Sequence, residues 1–449
     1  MDIKNLKISV LGAVRSGIGA AKLAKHLGAS VFVSDISPES KLASGVEILK
    51  SEKINFECGK HSEKIFDSEL IIISPGVPSD TEIVLKAKAK NIKIISELEF
   101  SSWYCKGTII GITGTNGKTT TTSLMTHTIN SCGLKAFSAG NIGLAFSDIV
   151  LDVKENEFVV LEISSFQLDF IEKFHPKFST ILNITPDHLD RYNNNFDNYK
   201  ESKLSIFKNQ NSNDYFISNY DDKQSPDTIS NKNVNHFKFS LRDKLANGAY
   251  LTNNKLYFSN NNYEESICSL NDLSLKGEHN IANTLSVMCI SKLLKLENEK
   301  IKNSFSTFPG VEHRLEFVRE LHEVTYINDS KATNVDAVWY AVRSFTKPII
   351  LILGGKDKGN DYSQIKDEVI KNVKKIYAIG SSAQKVFDYF NELVPVEIKK
   401  SLEECVLTAN KEAVEQDIVL LSPACASFDM FDNFEHRGKV FKEAVKNLK

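Results

Sequence analysis

The run Thr113-Gly114-Thr115-Asn116-Gly117-Lys118-Thr119-Thr120 lies between an apolar stretch, Gly107–Ile112, and a stretch of helical pattern, Thr119–Ser131. This order suits phosphate chemistry. Glycines let backbone N–H groups approach a phosphate closely, and a helix N-terminus adds a favourable dipole. Lys118 can reach the β- and γ-phosphates, and the Thr119 hydroxyl can hold Mg²⁺. The strict phosphate-loop pattern wants glycine where this chain has Ile112; Gly114 supplies the extra glycine instead. A Gly/Thr turn at a helix start is the plain alternative. Strand, glycines, lysine, threonine and helix in that order favour a nucleotide.

Further groups lie downstream. Glu162 sits near the end of an apolar run, Phe158–Ile163, where a carboxylate can meet a loop-bound Mg²⁺. Taken alone it is more often an exposed carboxylate beside a helix cap at Ser164 or Ser165. His188 follows another apolar run, Thr180–Ile184, and suits a metal or a substrate contact; lone loop histidines are more often neither. Lys203 is, by composition, an ordinary helical lysine. Arg314 lies just past Pro309-Gly310, a plausible hinge, and its guanidinium would match phosphate in a rigid fork. Three later apolar runs, Val324–Asn328, Ile349–Leu353 and Asp417–Leu421, each open into a polar loop: Asp329-Ser330-Lys331-Ala332-Thr333-Asn334, Gly354-Gly355-Lys356-Asp357-Lys358-Gly359, and Ser422 to Asp429. Any one could be a turn or cap. Three together, rich in lysines and hydroxyls at one sheet edge, suit an anionic ligand. Cys425 in the last loop has small alanine neighbours and no adjacent histidine, so it reads as a packing residue rather than a nucleophile.

Near the N-terminus, Gly12 and Gly17 occupy the first and sixth positions of G-x-G-x-x-G, with Val14 in the middle place, and Asp35 follows 23 residues after Gly12. From spacing alone this is a weak dinucleotide site, in which Val14 would crowd a pyrophosphate.

The elements that must position these groups alternate between strand and helix. Lys7–Leu11, Ser30–Ser34 and Glu69–Ser74 read as strands, with a helix around Ile18–Leu27. A chain of 449 residues accommodates about three domains. We expect an α/β protein of three domains, each a mainly parallel sheet with flanking helices: Rossmann-like over 1–97, P-loop ATPase-like over 98–310, Rossmann-like over 311–449. The stretch from Asn209 to Asp272 is rich in Asn, Ser, Asp and Lys and reads as a peripheral β-rich or loop-rich excursion, with β-like runs at Tyr215–Ser218 and Tyr250–Tyr257. With 55 basic and 57 acidic residues the net charge is −2, so no global field attracts nucleic acid or anionic lipid. Seven scattered cysteines without a C-x-x-C pair argue against a disulfide framework or zinc ribbon and for a reducing compartment. No segment approaches a membrane span or a convincing signal peptide, so a cytoplasmic location is expected.

The loop Thr-Gly-Thr-Asn-Gly-Lys-Thr-Thr resembles that of the Mur ligase and folylpolyglutamate synthase superfamily of ATP-dependent carboxylate–amine ligases. Asp329 to Asn334 and Ser422-Pro423-Ala424-Cys425-Ala426-Ser427-Phe428-Asp429 resemble the D-glutamate-adding branch of the Mur ligases. The resemblance covers all three segments outside roughly 209–272. It implies that D-glutamate is joined to UDP-N-acetylmuramoyl-L-alanine through an acyl phosphate, giving ADP and phosphate in peptidoglycan precursor synthesis. Gly114, Thr115, Asn116, Gly117, Lys118, Thr119, Thr120, Asn280, Asn283, Arg314 and Asp329 would then bind ATP. Lys118, Glu162, His188, Lys203, Arg314, Asp329 and Lys331 would act in catalysis. Thr119, Glu162, His188 and a Lys203 carbamylated by CO₂ would hold magnesium, two ions in all. Gly12, Gly17, Asp35, Ser74, Pro75, Gly76, Asn141, Ser164, Gln167 and His188 would hold the UDP-linked substrate, and Thr333, Lys358, Ser427 and Phe434 the D-glutamate. Where some members carry an arginine near the uracil, this chain has Ser37. A monomer is expected. Rival readings are a folylpolyglutamate synthase, an NAD-dependent oxidoreductase using the first domain, and an ATP-binding sensor or scaffold.

Overall fold

The computed structural model describes residues 2–226, 234–261, 263–357 and 359–449. They form two compact units: Met1–Leu273 with Ala282–Phe308, and Ser274–Ile281 with Pro309–Lys449.

The first unit holds two sheets. One comprises β1 (Lys7–Leu11), β2 (Ser30–Asp35), β3 (Asn55–Cys58), β4 (Leu70–Ile73) and β5 (Lys93–Ser96), in the order β3-β2-β1-β4-β5. All its pairings are parallel. The unbroken apolar run of β4 is buried along its whole length, as a strand covered by helices on both faces requires. Strand order reverses between β1 and β4, and the crevice at their carboxyl ends is where such a sheet takes a ligand.

The second sheet comprises β6 (Thr108–Thr113), β7 (Ala136–Gly140), β8 (Phe158–Glu162), β9 (Phe178–Ile181), β10 (Tyr215–Asn219), β11 (Asn235–Ser240), β12 (Asn247–Thr252), β13 (Lys255–Asn260) and β14 (Tyr263–Ser269). Its order is β14-β13-β12-β11-β10-β9-β6-β8-β7, parallel from β7 to β12 and antiparallel beyond. The Asn-rich stretch is therefore no detached excursion. It extends the central sheet, because β10 pairs with β9. The run Tyr250–Tyr257 is not one strand but the two arms of the β12–β13 hairpin. Asn253 and Asn254 both take positive φ at its turn, a conformation asparagine tolerates.

The second unit contains β15 (Glu316–Leu321), β16 (Val324–Asn328), β17 (Ile349–Gly354), β18 (Val373–Ile379), β19 (Val396–Ile398) and β20 (Ile418–Leu421), in the order β15-β16-β20-β17-β18-β19. Only the edge pair β15–β16 is antiparallel. β17 is buried throughout, and its two faces pack into separate apolar layers, Leu351 and Leu353 in one, Ile350 and Ile352 in the other. β16, β20 and β17 are neighbours, so their three polar loops leave one sheet edge side by side, as their sequence spacing predicts.

Candidate functional site

The phosphate loop leaves β6 and enters the helix Lys118–Ser131. Gly117 caps that helix at φ 83, and a Cβ there would lie 2.4 Å from Asn283 Oδ1, so Asn283 is packed against the loop. Lys118 Nζ donates to the carbonyls of Gly114 (2.8 Å) and Thr115 (2.7 Å). Thr119 and Thr120 are buried at the first turn of the helix. Two residues that sequence reasoning passed over fix the loop from outside. The Asn183 amide accepts from Asn116 N and donates to Asn116 O, and Tyr199 OH lies 2.9 Å from Thr115 Oγ1. Asn183 follows β9, a position that could have flagged it. Tyr199 stands four residues before Lys203, one helical turn away.

Lys203 is buried. Its Nζ donates to Gly114 O (2.8 Å) and lies 4.7 Å from the centre of the Tyr199 ring. Burial, reinforced by the like charge of Lys118, holds this amine well below the ordinary lysine range, against the pull of Asp187, Asp169 and Glu162. The arrangement thus favours the neutral form of the amine more than solvent would. Glu162, at the end of β8, accepts from Asn141 Nδ2 at 2.8 Å. His188 is exposed, takes φ 52, and lies edge-on to Phe166 with ring centres 5.3 Å apart. Mg²⁺ takes oxygen donors, and the Thr119 hydroxyl and the Glu162 carboxylate are donors of that kind, whereas the His188 imidazole is a softer one.

A cleft of about 860 Å³ runs from the carboxyl ends of β1, β2 and β4 to Asn141 and Gln167. Gly12, Asp35, Ser74, Pro75 and Gly76 line it; Gly17, Ser164 and His188 are not among its lining residues. Gly17 serves packing, since a Cβ there would meet Gly12 O at 1.9 Å. Asp35 braces the turn: its two oxygens accept from Ala13 N (2.7 Å) and Ser37 N (2.8 Å). Two buried polar atoms in the lining, Ser74 Oγ and Gln167 Nε2, have no hydrogen-bond partner among the described residues. Such atoms favour a polar ligand. Gln167 Oε1 accepts from Ser164 N and Oγ, closing a capping box on the short helix Ser165–Leu168. Arg191 Nη2 reaches Pro75 O (3.2 Å), tying the His188 loop to the first sheet.

In the second unit, Asp329 is buried beyond β16 and accepts from Ser422 Oγ (2.8 Å) and Leu315 N (3.2 Å). Burial lifts its carboxyl from 3.8 to about 7, against the pull of Arg314. Burial, joined by the charge of Arg314, pushes the His279 imidazole down to about 4. Asn280 donates to Lys276 O (2.9 Å). Lys331 Nζ lies 5.1 Å from the centre of the Phe434 ring, and Ser330 Oγ donates to Phe434 O. Ser427 is buried at a turn, where its carbonyl accepts from Phe431 N (2.8 Å). Thr333 lies in the β16 loop, just before the helix Val335–Arg343. Lys358 lies outside the described residues. Sequence reasoning missed Arg437. This buried guanidinium donates to Ser330 Oγ, Ser330 O and Cys425 O, locking the β16 and β20 loops together. Cys425 is a packing residue, with its thiol pushed up by burial. Glu312, His313 and Glu316 cluster, but Lys442 already pairs with both carboxylates.

These three sheets with their loops are those of an ATP-handling α/β ligase, and comparison with known proteins agrees. Residues 7–83 match the MurD N-terminal domain, 112–291 the Mur ligase middle domain, and 313–425 the Mur ligase glutamate ligase domain. The chain belongs to the Mur ligase family. It is 44% identical to the UDP-N-acetylmuramoylalanine--D-glutamate ligase of Chloroherpeton thalassium, across 100% of this chain and 99% of that one. It is 43% identical to the enzyme of the same name from Christiangramia forsetii, across 98% and 99%. Among solved structures, UDP-N-acetylmuramate-alanine ligase from Thermotoga maritima shares the fold, with a TM-score of 0.62 at 18% identity over 99% of this chain and 100% of that one.

Proposed function

We propose that this chain joins D-glutamate to UDP-N-acetylmuramoyl-L-alanine with cleavage of ATP to ADP and phosphate. The substrate carboxylate attacks the γ-phosphorus of ATP, the bond to ADP breaks, and an acyl phosphate forms. The amine of D-glutamate then attacks the acyl carbon, loses a proton, and phosphate leaves. The observation that carries this reading is the Asn141–Glu162 hydrogen bond. Asn141 lines the substrate cleft and Glu162 stands beside the phosphate loop, so the cleft ends where phosphoryl transfer would occur.

Lys118 and the loop amides would cradle the phosphates, with Asn283 on the adenine side. Mg²⁺ supplies charge neutralisation at the transferring phosphoryl group when bound. Thr119, Glu162, His188 and a carbamylated Lys203 would hold it, as two ions. A buried amine whose pKa is lowered suits this modification: in its neutral form the lone pair can attack CO₂, and after loss of a proton the nitrogen carries an anionic carbamate with oxygen donors. Residues 1–97 would hold the UDP end, 98–310 the nucleotide and 311–449 the amino acid. Within the last, Thr333, Lys358, Ser427 and Phe434 would receive D-glutamate, and Arg314, Asp329 and Lys331 would serve the nucleotide and the acyl phosphate. The enzyme would work as a cytoplasmic monomer. Among the described residues no helix is long and apolar enough to cross a membrane. Phosphate release that requires both the UDP-linked acceptor and an amino acid, and that disappears in Lys118→Ala, is the expected result; release without acceptor would overturn the reading.

A further inference from the structure

The cleft has a direction. Its Asn141–Gln167 end adjoins the phosphate loop and so takes the reacting carboxylate on the reading above, on which this inference rests. The uracil must then occupy the opposite end, where β2 and β3 stop. Two apolar side chains there are left open to solvent, Val14 at 65% and Ile36 at 64%, and both line the cleft. They offer the flat faces of a base something to cover. The edge of the base must be read by polar groups, and His61 lines the same end. The residues just after β3 are tied to the turn that follows β2 by Gly59 N donating to Ser37 O (2.9 Å).

Hydrogen-bond bookkeeping fixes the His61 ring. Ser34 Oγ lies 2.7 Å from Glu57 Oε1 and 2.7 Å from His61 Nδ1. A hydroxyl has one proton, and an ionised carboxylate can only accept. Burial pushes the Glu57 carboxyl up, but hydrogen bonds from Ser62 and Ser34 together outweigh it and hold the group ionised, below its ordinary range. The Ser34 proton therefore goes to Glu57, and Ser34 must accept from His61. That places a proton on Nδ1. Burial keeps the imidazole neutral, so Nε2 carries none. We infer that His61 Nε2, set as an acceptor by the Ser34–Glu57 relay, takes the N3–H of uracil and selects uridine over cytidine nucleotides. Cytosine has a bare N3 at that position, so two lone pairs would face each other. The site would reject it through an unmet acceptor rather than through size.

The test measures UDP and CDP binding to the full chain by calorimetry, with ¹⁵N NMR of the His61 ring alongside. The wild type should prefer UDP by roughly tenfold or more, with the proton on Nδ1. His61→Ala should bring the two affinities to within about threefold of each other. Ser34→Ala, which only removes the relay, should move the proton toward Nε2 and shrink the preference in the same direction. A preference unchanged in His61→Ala, or a proton on Nε2 in the wild type, overturns the inference, as does equal binding of UDP and CDP. Failure of UDP to bind at all would instead overturn the substrate reading together with it.

Discussion

Asp329→Asn should change how stability depends on pH, by an amount the structure fixes. Asp329 is buried, and its carboxyl titrates at about 7 instead of 3.8, chiefly through burial. A raised carboxyl pKa means the neutral form is favoured by folding. That contribution is complete below 3.8 and is lost as pH rises through about 7. The ionised folded state is penalised by ~4 kcal/mol relative to an unperturbed aspartate. From about pH 5 to about pH 8.5 the penalty grows by ~2.7 kcal/mol, a factor of ~100 in the unfolding constant. The amide of the variant cannot ionise. It also offers one acceptor fewer to Ser422 Oγ and Leu315 N, which costs ~1 kcal/mol at every pH. Denaturant unfolding should be followed through Trp339, in a common Trp103→Phe background. The wild type should fall relative to the variant by ~2–3 kcal/mol across that range. A stability difference independent of pH would refute a buried acid at this position.

Three further substitutions test other parts of the account. Lys203→Ala should lose activity and recover part of it with a small carboxylic acid such as formate; activity that survives the substitution intact would remove the carbamate. Gly117→Ala places a Cβ 2.4 Å from Asn283 Oδ1 at φ 83, so ATP kcat/KM should fall roughly 10- to 100-fold. Unchanged ATP kinetics would show that the loop does not need this conformation. Arg437→Met strands the carbonyls of Ser330 and Cys425, so stability should fall by ~2–4 kcal/mol. KM for the amino acid should rise more than KM for ATP.

The phosphate loop was legible because its chemistry is contiguous: glycines, Lys118 and Thr119 lie within one turn and one strand end. The three loops of the second unit were legible for a related reason, since β16, β17 and β20 are short, mostly apolar strands that end at Asn328, Gly354 and Leu421, each directly before a polar loop. Asn183, Tyr199, His61 and Arg437 were not. Each acts through a partner 12 to 107 residues from it or through a two-step relay, and nothing local marks a side chain whose value lies in whose carbonyl or hydroxyl it meets. Nor could Lys203 be told from a solvated helical lysine. Its helix has few apolar residues, and only the packing of the Gly114 carbonyl and Tyr199 ring buries its amine. In the Asn-rich stretch the β-like run Tyr215–Ser218 was legible and is β10, but its pairing with β9, which joins the stretch to the central sheet, is a tertiary fact.

The most direct measurement is phosphate release from ATP with Mg²⁺ and UDP-N-acetylmuramoyl-L-alanine, comparing D-glutamate with L-glutamate, D-alanine and no amino acid. The account predicts release that requires both substrates and the D-isomer of glutamate. Release supported by another amino acid would contradict the assignment of the second unit's loops, and no release under any pairing, with ATP still bound, would contradict the ligase itself.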